Sequence, residues 1–138
     1  TTLQLVSEAS LKFYQPEIYK ETLAQSFSAG GYTLLAAAAS GLAKDLLPTM
    51  AIKLEAGYAT DCTDFSAAGG SITVKRPQLA GKYFAQIKIK SPKAVVSLRP
   101  NVFKTSAPLG KAANIVDVSA AKGSGQNIVT AVEGGGGA

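Results

Sequence analysis

Apolar residues recur along this chain with two different spacings, and the points where the spacing changes divide it into elements. Leu3-Gln4-Leu5-Val6 alternates and predicts a short strand, followed by a turn over Ser7-Glu8-Ala9-Ser10. From Pro16 the spacing becomes helical. Tyr19, Leu23 and Phe27 fall one turn apart beside Ala24, which gives one apolar face with Lys20 and Glu21 turned outward. Proline suits the first turn of a helix, where its missing N–H costs nothing, and Glu17 suits the positive end of the helix dipole. Gly30-Gly31 ends this helix.

Tyr32-Thr33-Leu34-Leu35-Ala36-Ala37 carries no charge and reads as a strand buried on both faces, the central strand of a parallel sheet. Ala38-Ala39-Ser40-Gly41 then crosses into a second helix, expected over Lys44 to Ala56, with Leu47, Met50, Ala51 and Leu54 on its inner side. Pro48 belongs in the first turn of that helix or kinks it, and Gly57 closes it. Helix, strand, small-residue turn and helix in this order is α/β grammar. The next stretch follows another pattern. Tyr58 to Phe65, Ser71 to Arg76 and Lys82 to Lys90 read as three extended segments joined by Gly69-Gly70 and Ala80-Gly81, so antiparallel hairpins are expected. In the last of them Tyr83, Ala85, Ile87 and Ile89 share one face, and Lys82, Gln86, Lys88 and Lys90 the other. Lys93 to Leu98 returns to a buried run, stopped by Arg99-Pro100, and predicts a second core strand beside the one at Leu34, with helices flanking both.

Ile115-Val116-Asp117-Val118 predicts an edge strand, which places the folded domain within residues 1–118. Residues 119–138, with Gly123-Ser124-Gly125 and the closing Gly134-Gly135-Gly136-Gly137, have the composition of a tail or linker.

Composition narrows the chemistry. The chain has 138 residues, no histidine, no tryptophan and one cysteine. Within it, Ser-His-Asp and Cys-His catalysis, histidine zinc sites, CxxC redox pairs and cysteine-ligated iron–sulfur clusters are excluded. Asp61 and Asp64, three apart on an extended segment, face opposite ways and make no carboxylate pair. Neither a catalytic residue nor a metal site is expected. Cys62 reads as a small core residue, and a lone thiol fits a reducing compartment, the bacterial cytoplasm or alternatively a mitochondrial matrix. No apolar run reaches the length of a membrane span, and the N-terminus has no signal-peptide pattern.

The net charge of +5 is unevenly spread. Thr1 to Asp64 holds four Lys against seven acids, whereas Phe65 to Val116 holds nine Lys and Arg and no acid at all. Such asymmetry points to an anionic partner: nucleic acid, a phosphate-bearing cofactor or an acidic protein surface. Lysines that keep sheet faces soluble and edges unpaired are the better account of it. Nucleic acid is the poorest fit, since Tyr83, Phe84 and Phe103 form no RNP-like repeat and the first two point to opposite strand faces. Two segments are candidate sites. Ser40, Gly41 and Lys44, at the carboxyl end of a parallel strand and the start of a helix, sit where α/β sheets bind phosphate. With one glycine the segment is neither a Walker loop nor a GxGxxG fingerprint, and Gly41 as a turn with Asp45 as a helix cap explains it as well. In the basic hairpin Lys75-Arg76-Pro77-Gln78-Leu79-Ala80-Gly81-Lys82, Arg76 and Lys82 are suited to pair with phosphate or with an acidic protein, the latter being favoured.

Four blocks in fixed order carry a resemblance. Gly41-Leu42-Ala43-Lys44-Asp45-Leu46-Leu47-Pro48-Thr49-Met50-Ala51-Ile52-Lys53-Leu54, Asp61-Cys62-Thr63-Asp64, Ile72 to Lys82 and Val95 to Phe103 resemble the N-terminal domain of the electron transfer flavoprotein α subunit, and Pro16-Glu17-Ile18-Tyr19 also fits. The blocks cover most of residues 4–118. The resemblance implies a Rossmann-like α/β domain of the adenine nucleotide alpha hydrolase-like type, held in a heterodimer with a β subunit. It also implies electron transfer through FAD from dehydrogenases, such as those acting on acyl-CoA, to a quinone reductase or another acceptor. The family's FAD lies mainly on a C-terminal domain outside these residues, so no flavin ligand is carried over and this chain alone is not expected to hold it. The family's first strands and helices precede the segment matching Leu3 to Val6. Gly41, Asp45, Pro48, Arg76, Gly81 and Arg99 carry over as turn, cap, kink and basic contact, with Arg76, Lys82 and Arg99 as candidate interface residues. The competing reading is a stand-alone domain of this fold that binds or hydrolyses a nucleotide, using the Ser40 turn.

Overall fold

Proline, glycine and a serine cap set the limits of two helices that bury one face of a short parallel sheet. The computed structural model describes residues 1–108, 110–123, 127 and 129–134. Strand β1 (Thr2–Leu5) leads through a 3-10 turn at Ala9–Leu11 to helix α1 (Pro16–Ala29), which has Pro16 in its first turn. Ile18, Ala24 and Phe27 of α1 are buried. Gly31, at φ +62, lies just past its end in the left-handed region that glycine tolerates best. Strand β2 (Leu34–Ala38) and helix α2 (Gly41–Leu54) follow.

Helix α2 starts three residues before the expected Lys44, because the Ser40 hydroxyl accepts the Ala43 N–H at 3.2 Å and caps it. Pro48 therefore lies in the middle of the helix, not in its first turn, and the helix runs on through it. Asp45 is not a cap: its carboxylate accepts the Tyr14 hydroxyl at 2.7 Å and ties α2 to the segment ahead of α1. The helix closes on Glu55 in a left-handed conformation (φ 53), not on Gly57. Gly57 opens the next strand, where a Cβ would come within 2.5 Å of Ser91 Oγ and 2.6 Å of an Ile89 methyl. The inner side of α2 is as the sequence implies, with Leu47, Met50, Ala51 and Leu54 all buried. Burying side chains of the size of Leu47, Met50 and Leu54 contributes roughly 1.5–3 kcal/mol each.

The extended segment expected from Tyr58 to Phe65 is two strands. Strand β3 (Gly57–Cys62) joins the parallel sheet, and β4 (Asp64–Ala68) starts an antiparallel one with β5 (Ser71–Gln78) and β6 (Tyr83–Ile89). Strand β7 (Ala94–Leu98) then returns to the parallel sheet between β2 and β3. The pairing expected between the Leu34 and Val96 stretches is present, with Ala36 opposite Val96. Their order is corrected: β7 is the central strand, with Ala94 to Ser97 buried, whereas β2 lies at the edge and is half-exposed. Helices cover only one face. Val95 packs with α1 and α2, and Ala94 and Val96 on the opposite face pack with Val74 and Ile89 of the antiparallel sheet. The architecture is α/β, a parallel sheet with an antiparallel ribbon inserted between β3 and β7 and laid over the sheet's free face.

Strand β8 (Asn114–Asp117) pairs in parallel with β1, apart from the main sheet, and both strands are exposed throughout. Beyond it, the Ala120 N–H reaches Glu8 at 2.6 Å and the Ala121 N–H reaches Thr22 of α1 at 2.9 Å. Residues 124–126, 128 and 135–138 of the expected tail lie outside the described residues.

Candidate functional site

Parallel strands bring their carboxyl ends to one edge, and backbone hydrogen bonds stitch the three ends together. The Ala39 N–H donates to Leu98 O and the Arg99 N–H to Cys62 O, each at 2.8 Å. Between Ala59 and Cys62 the register of β3 against β7 slips, so that two residues stand opposite Ser97. Asp61 sits in this bulge at φ 54, and its N–H donates to the buried Ser97 hydroxyl at 2.8 Å. The bulge turns the Asp61 carboxylate toward Arg99. Arg99 Nε donates to Oδ1 at 3.0 Å, and an Nη donates to Oδ2. This fork-to-fork pairing is the geometry in which arginine holds a carboxylate best. It keeps the Asp61 carboxyl below its usual range, with Lys44 and Arg76 adding to the effect and partial burial opposing it.

Arg76 stands on the other wall. It follows Val74 by two residues on β5, so it shares the inner face of the ribbon and points beneath it. Its Nε is buried and has no hydrogen-bond partner. Burial pushes the Tyr58 phenol and the Cys62 thiol up, and the nearby Arg76 charge pulls both back. Asp61, Arg76, Arg99 and the turn 77–81 enclose a cavity of about 610 Å³. In that turn Leu79, Ala80 and Gly81 all have positive φ, at 48, 57 and 86. Gly81 is thus a turn glycine in the sense expected, whereas Leu79 and Ala80 hold a conformation that costs a residue with a side chain roughly 1–2 kcal/mol.

The structure brings Arg76 and Arg99 together and leaves Lys82 outside. Lys82 follows the turn, exposed, its N–H donating to Leu79 O at 3.2 Å. Among the phosphate candidates, the Ser40 hydroxyl is engaged as the cap of α2. Gly41 has no positive φ, and a Cβ there would meet nothing within 4 Å, so neither a tight turn nor a close approach demands glycine. Lys44 is exposed, close enough to Asp61 to favour its ionised form. Sequence reasoning missed the Asp61–Arg99 pair and the role of Ser97. The signal for Ser97 was a single hydroxyl within the run Ala94-Val95-Val96-Ser97-Leu98, which burial obliges to find a partner.

At the start of α2 the Ser40 hydroxyl takes the Ala43 N–H and leaves those of Gly41 and Leu42 without an intrahelical partner. A second cavity, about 700 Å³ between the N-terminal arm and both helices, is lined by Val6, Leu11, Leu23, Leu42 and Leu46 together with the polar Glu8, Lys12 and Thr22. No group of three His, Cys, Asp or Glu among the described residues could hold a metal ion.

The model of the electron transfer flavoprotein domain matches residues 2–123. The chain belongs to the electron transfer flavoprotein family. It is also similar to the electron transfer flavoprotein subunit alpha of Bacillus subtilis (strain 168), at 33% identity over 67 residues. That match takes in 49% of this chain and 21% of the relative. The resemblance to the N-terminal domain of the α subunit, and the α/β fold it implied, therefore hold. Among the described residues no helix is long and apolar enough to cross a membrane.

Proposed function

We propose that this chain is the scaffold and subunit-contact part of an electron transfer flavoprotein α-type subunit. It supports electron transfer through FAD, from dehydrogenases to a quinone reductase or other acceptor, without holding the flavin itself. Its partner is the family's β subunit, and Arg76, Lys82 and Arg99 lie in the contact region. The observation that carries this reading is the surface of the ribbon and the strand after it, which past Asp64 at the start of β4 carries only cations. Residues 65–116 contain nine cationic side chains and no acid, and in the same ribbon Leu79, Tyr83 and Phe84 are more than half exposed. Cationic surface interleaved with exposed apolar side chains suits an acidic, partly apolar protein face. The buried free thiol of Cys62 suits a reducing compartment such as the bacterial cytoplasm.

Coexpression with the β subunit tests the reading. The expected result is a pair that copurifies at low salt and separates as salt rises, with Lys82→Glu separating earlier. Failure to copurify at any salt refutes it. Titrating AMP, ATP and FAD while following thermal stability examines the nucleotide-binding alternative at Ser40, Gly41 and Lys44. No shift is expected, and stabilisation by ATP alone would replace the scaffold reading.

A further inference from the structure

The cavity under the 77–81 turn is lined by two arginines and one carboxylate, which leaves one positive charge in excess. Asp61 is the acid that lines it, and its two oxygens are both engaged by Arg99. The Arg76 side chain has no hydrogen bond or ion pair among the described residues, and its Nε is shielded from water. A guanidinium donor buried without an acceptor is costly, and such a donor is satisfied when water, an ion or another molecule supplies the acceptor. The backbone around the cavity is costly too. Five residues other than glycine have positive φ among those described, and three of them, Asp61, Leu79 and Ala80, line this one space. Sparsely populated backbone conformations cluster at ligand clamps.

We infer that the Arg76 cavity receives one carboxylate side chain, an Asp or Glu, from the protein that docks on the ribbon. This inference rests on the subunit-contact reading above. Charge selects the occupant. With Asp61 neutralised by Arg99, Arg76 remains the unmatched charge, and the surrounding sequence from Phe65 to Val116 supplies no acid of its own. Size agrees, since about 610 Å³ takes an acidic side chain together with the backbone that carries it. Leu79, 70% exposed, forms an apolar rim for that backbone. Lys82 faces solvent and adds only long-range attraction. The binding energy is thereby concentrated on one half-buried arginine, as in many interface hot spots.

Replacing Arg76 separates this role from a structural one, because removing an unpartnered buried donor should not weaken the free chain. Arg76→Met is expected to melt at or above the wild-type temperature while its affinity for the β subunit falls at least tenfold. Lys82→Gln is expected to bind within about threefold of wild type at moderate salt, since a rim charge acts mainly on association rate. Titration calorimetry and thermal melting read both effects. If wild type binds and Arg76→Met binds equally well, the carboxylate site is refuted and the subunit-contact reading stands. If wild type does not bind, both fall. A melting temperature that drops sharply in Arg76→Met would make Arg76 structural. Stabilisation of wild type but not Arg76→Met by inorganic phosphate would assign the cavity to a free anion, and either result overturns the inference.

Discussion

Ser97→Ala is the sharpest test of how the site edge is built. Ser97 is 1% exposed, near the carboxyl end of the central strand, and its hydroxyl accepts the Asp61 N–H at the bulge in β3. Alanine removes the acceptor and leaves the Asp61 N–H without its partner on the half-buried side of a sheet. The loss of one such bond with its donor left behind costs about 1–3 kcal/mol. The low end of that range applies here, because Asp61 is partly reached by water, so the expected loss is about 1–1.5 kcal/mol. In a domain of this size that lowers Tm by roughly 3–8 °C and shifts the urea midpoint without changing the slope. The amide resonance of Asp61 should move upfield and its hydrogen exchange should accelerate, while amides in α1 stay as they were. A Ser97→Ala protein with the wild-type urea midpoint and an unmoved Asp61 amide would refute the reasoning, since the bulge would then be held by something other than this bond.

Two further outcomes are expected. Met50→Ala, at a fully buried position between α2 and the sheet, should lose about 2–5 kcal/mol in urea denaturation, a large share of a small domain's stability. Because Arg99 holds the folded-state pKa of Asp61 below its unfolded value of roughly 3.9, the contribution of Asp61 is present above that value and is lost as pH falls through the folded pKa. Asp61→Asn should therefore be less stable than wild type at pH 6, and the gap should close in acid; a gap that does not change with pH would remove the ion pair as its cause.

Much of the architecture was legible because it rests on local chemistry. The Pro16 start and the spacing of Tyr19, Leu23 and Phe27 specify α1, and two uncharged runs specify the strands at Leu34 and Val96. The alternation in β6 is also as read, with Ile87 and Ile89 turned inward and Gln86 and Lys88 outward. Strand order was not legible. Both uncharged runs look equally central in sequence, and the exposure of β2 follows only from β7 pairing on its far side with β3. The limits of α2 misled for a different reason: glycine at 57 suggested a stop, yet Glu55 takes the left-handed cap and Gly57 is needed for close packing against Ile89 and Ser91. At the site, Arg76 and Arg99 were visible as cations. Their directions were not, because the Asp61–Arg99 pair spans 38 positions with no local pattern linking its members.

The same few bonds fix both the stability of the sheet edge and the shape of the cavity. Asp61 is the last bend before β3 gives way to β4, and the chain crosses from one sheet to the other at Thr63, whose N–H donates to Lys75 O at 2.7 Å. Lys75 precedes Arg76 on β5. The bulge that turns Asp61 toward Arg99 therefore also sets where the ribbon sits, and hence where Arg76 is held. Substitutions at Ser97, Asp61 or Arg99 must change folding and docking together, because each removes a bond that holds the bulge at the edge of the parallel sheet, from which the chain leaves for the ribbon. The Arg76 side chain differs from theirs in making no described hydrogen bond or ion pair, so within this cluster it is the position at which partner affinity can change while stability does not fall.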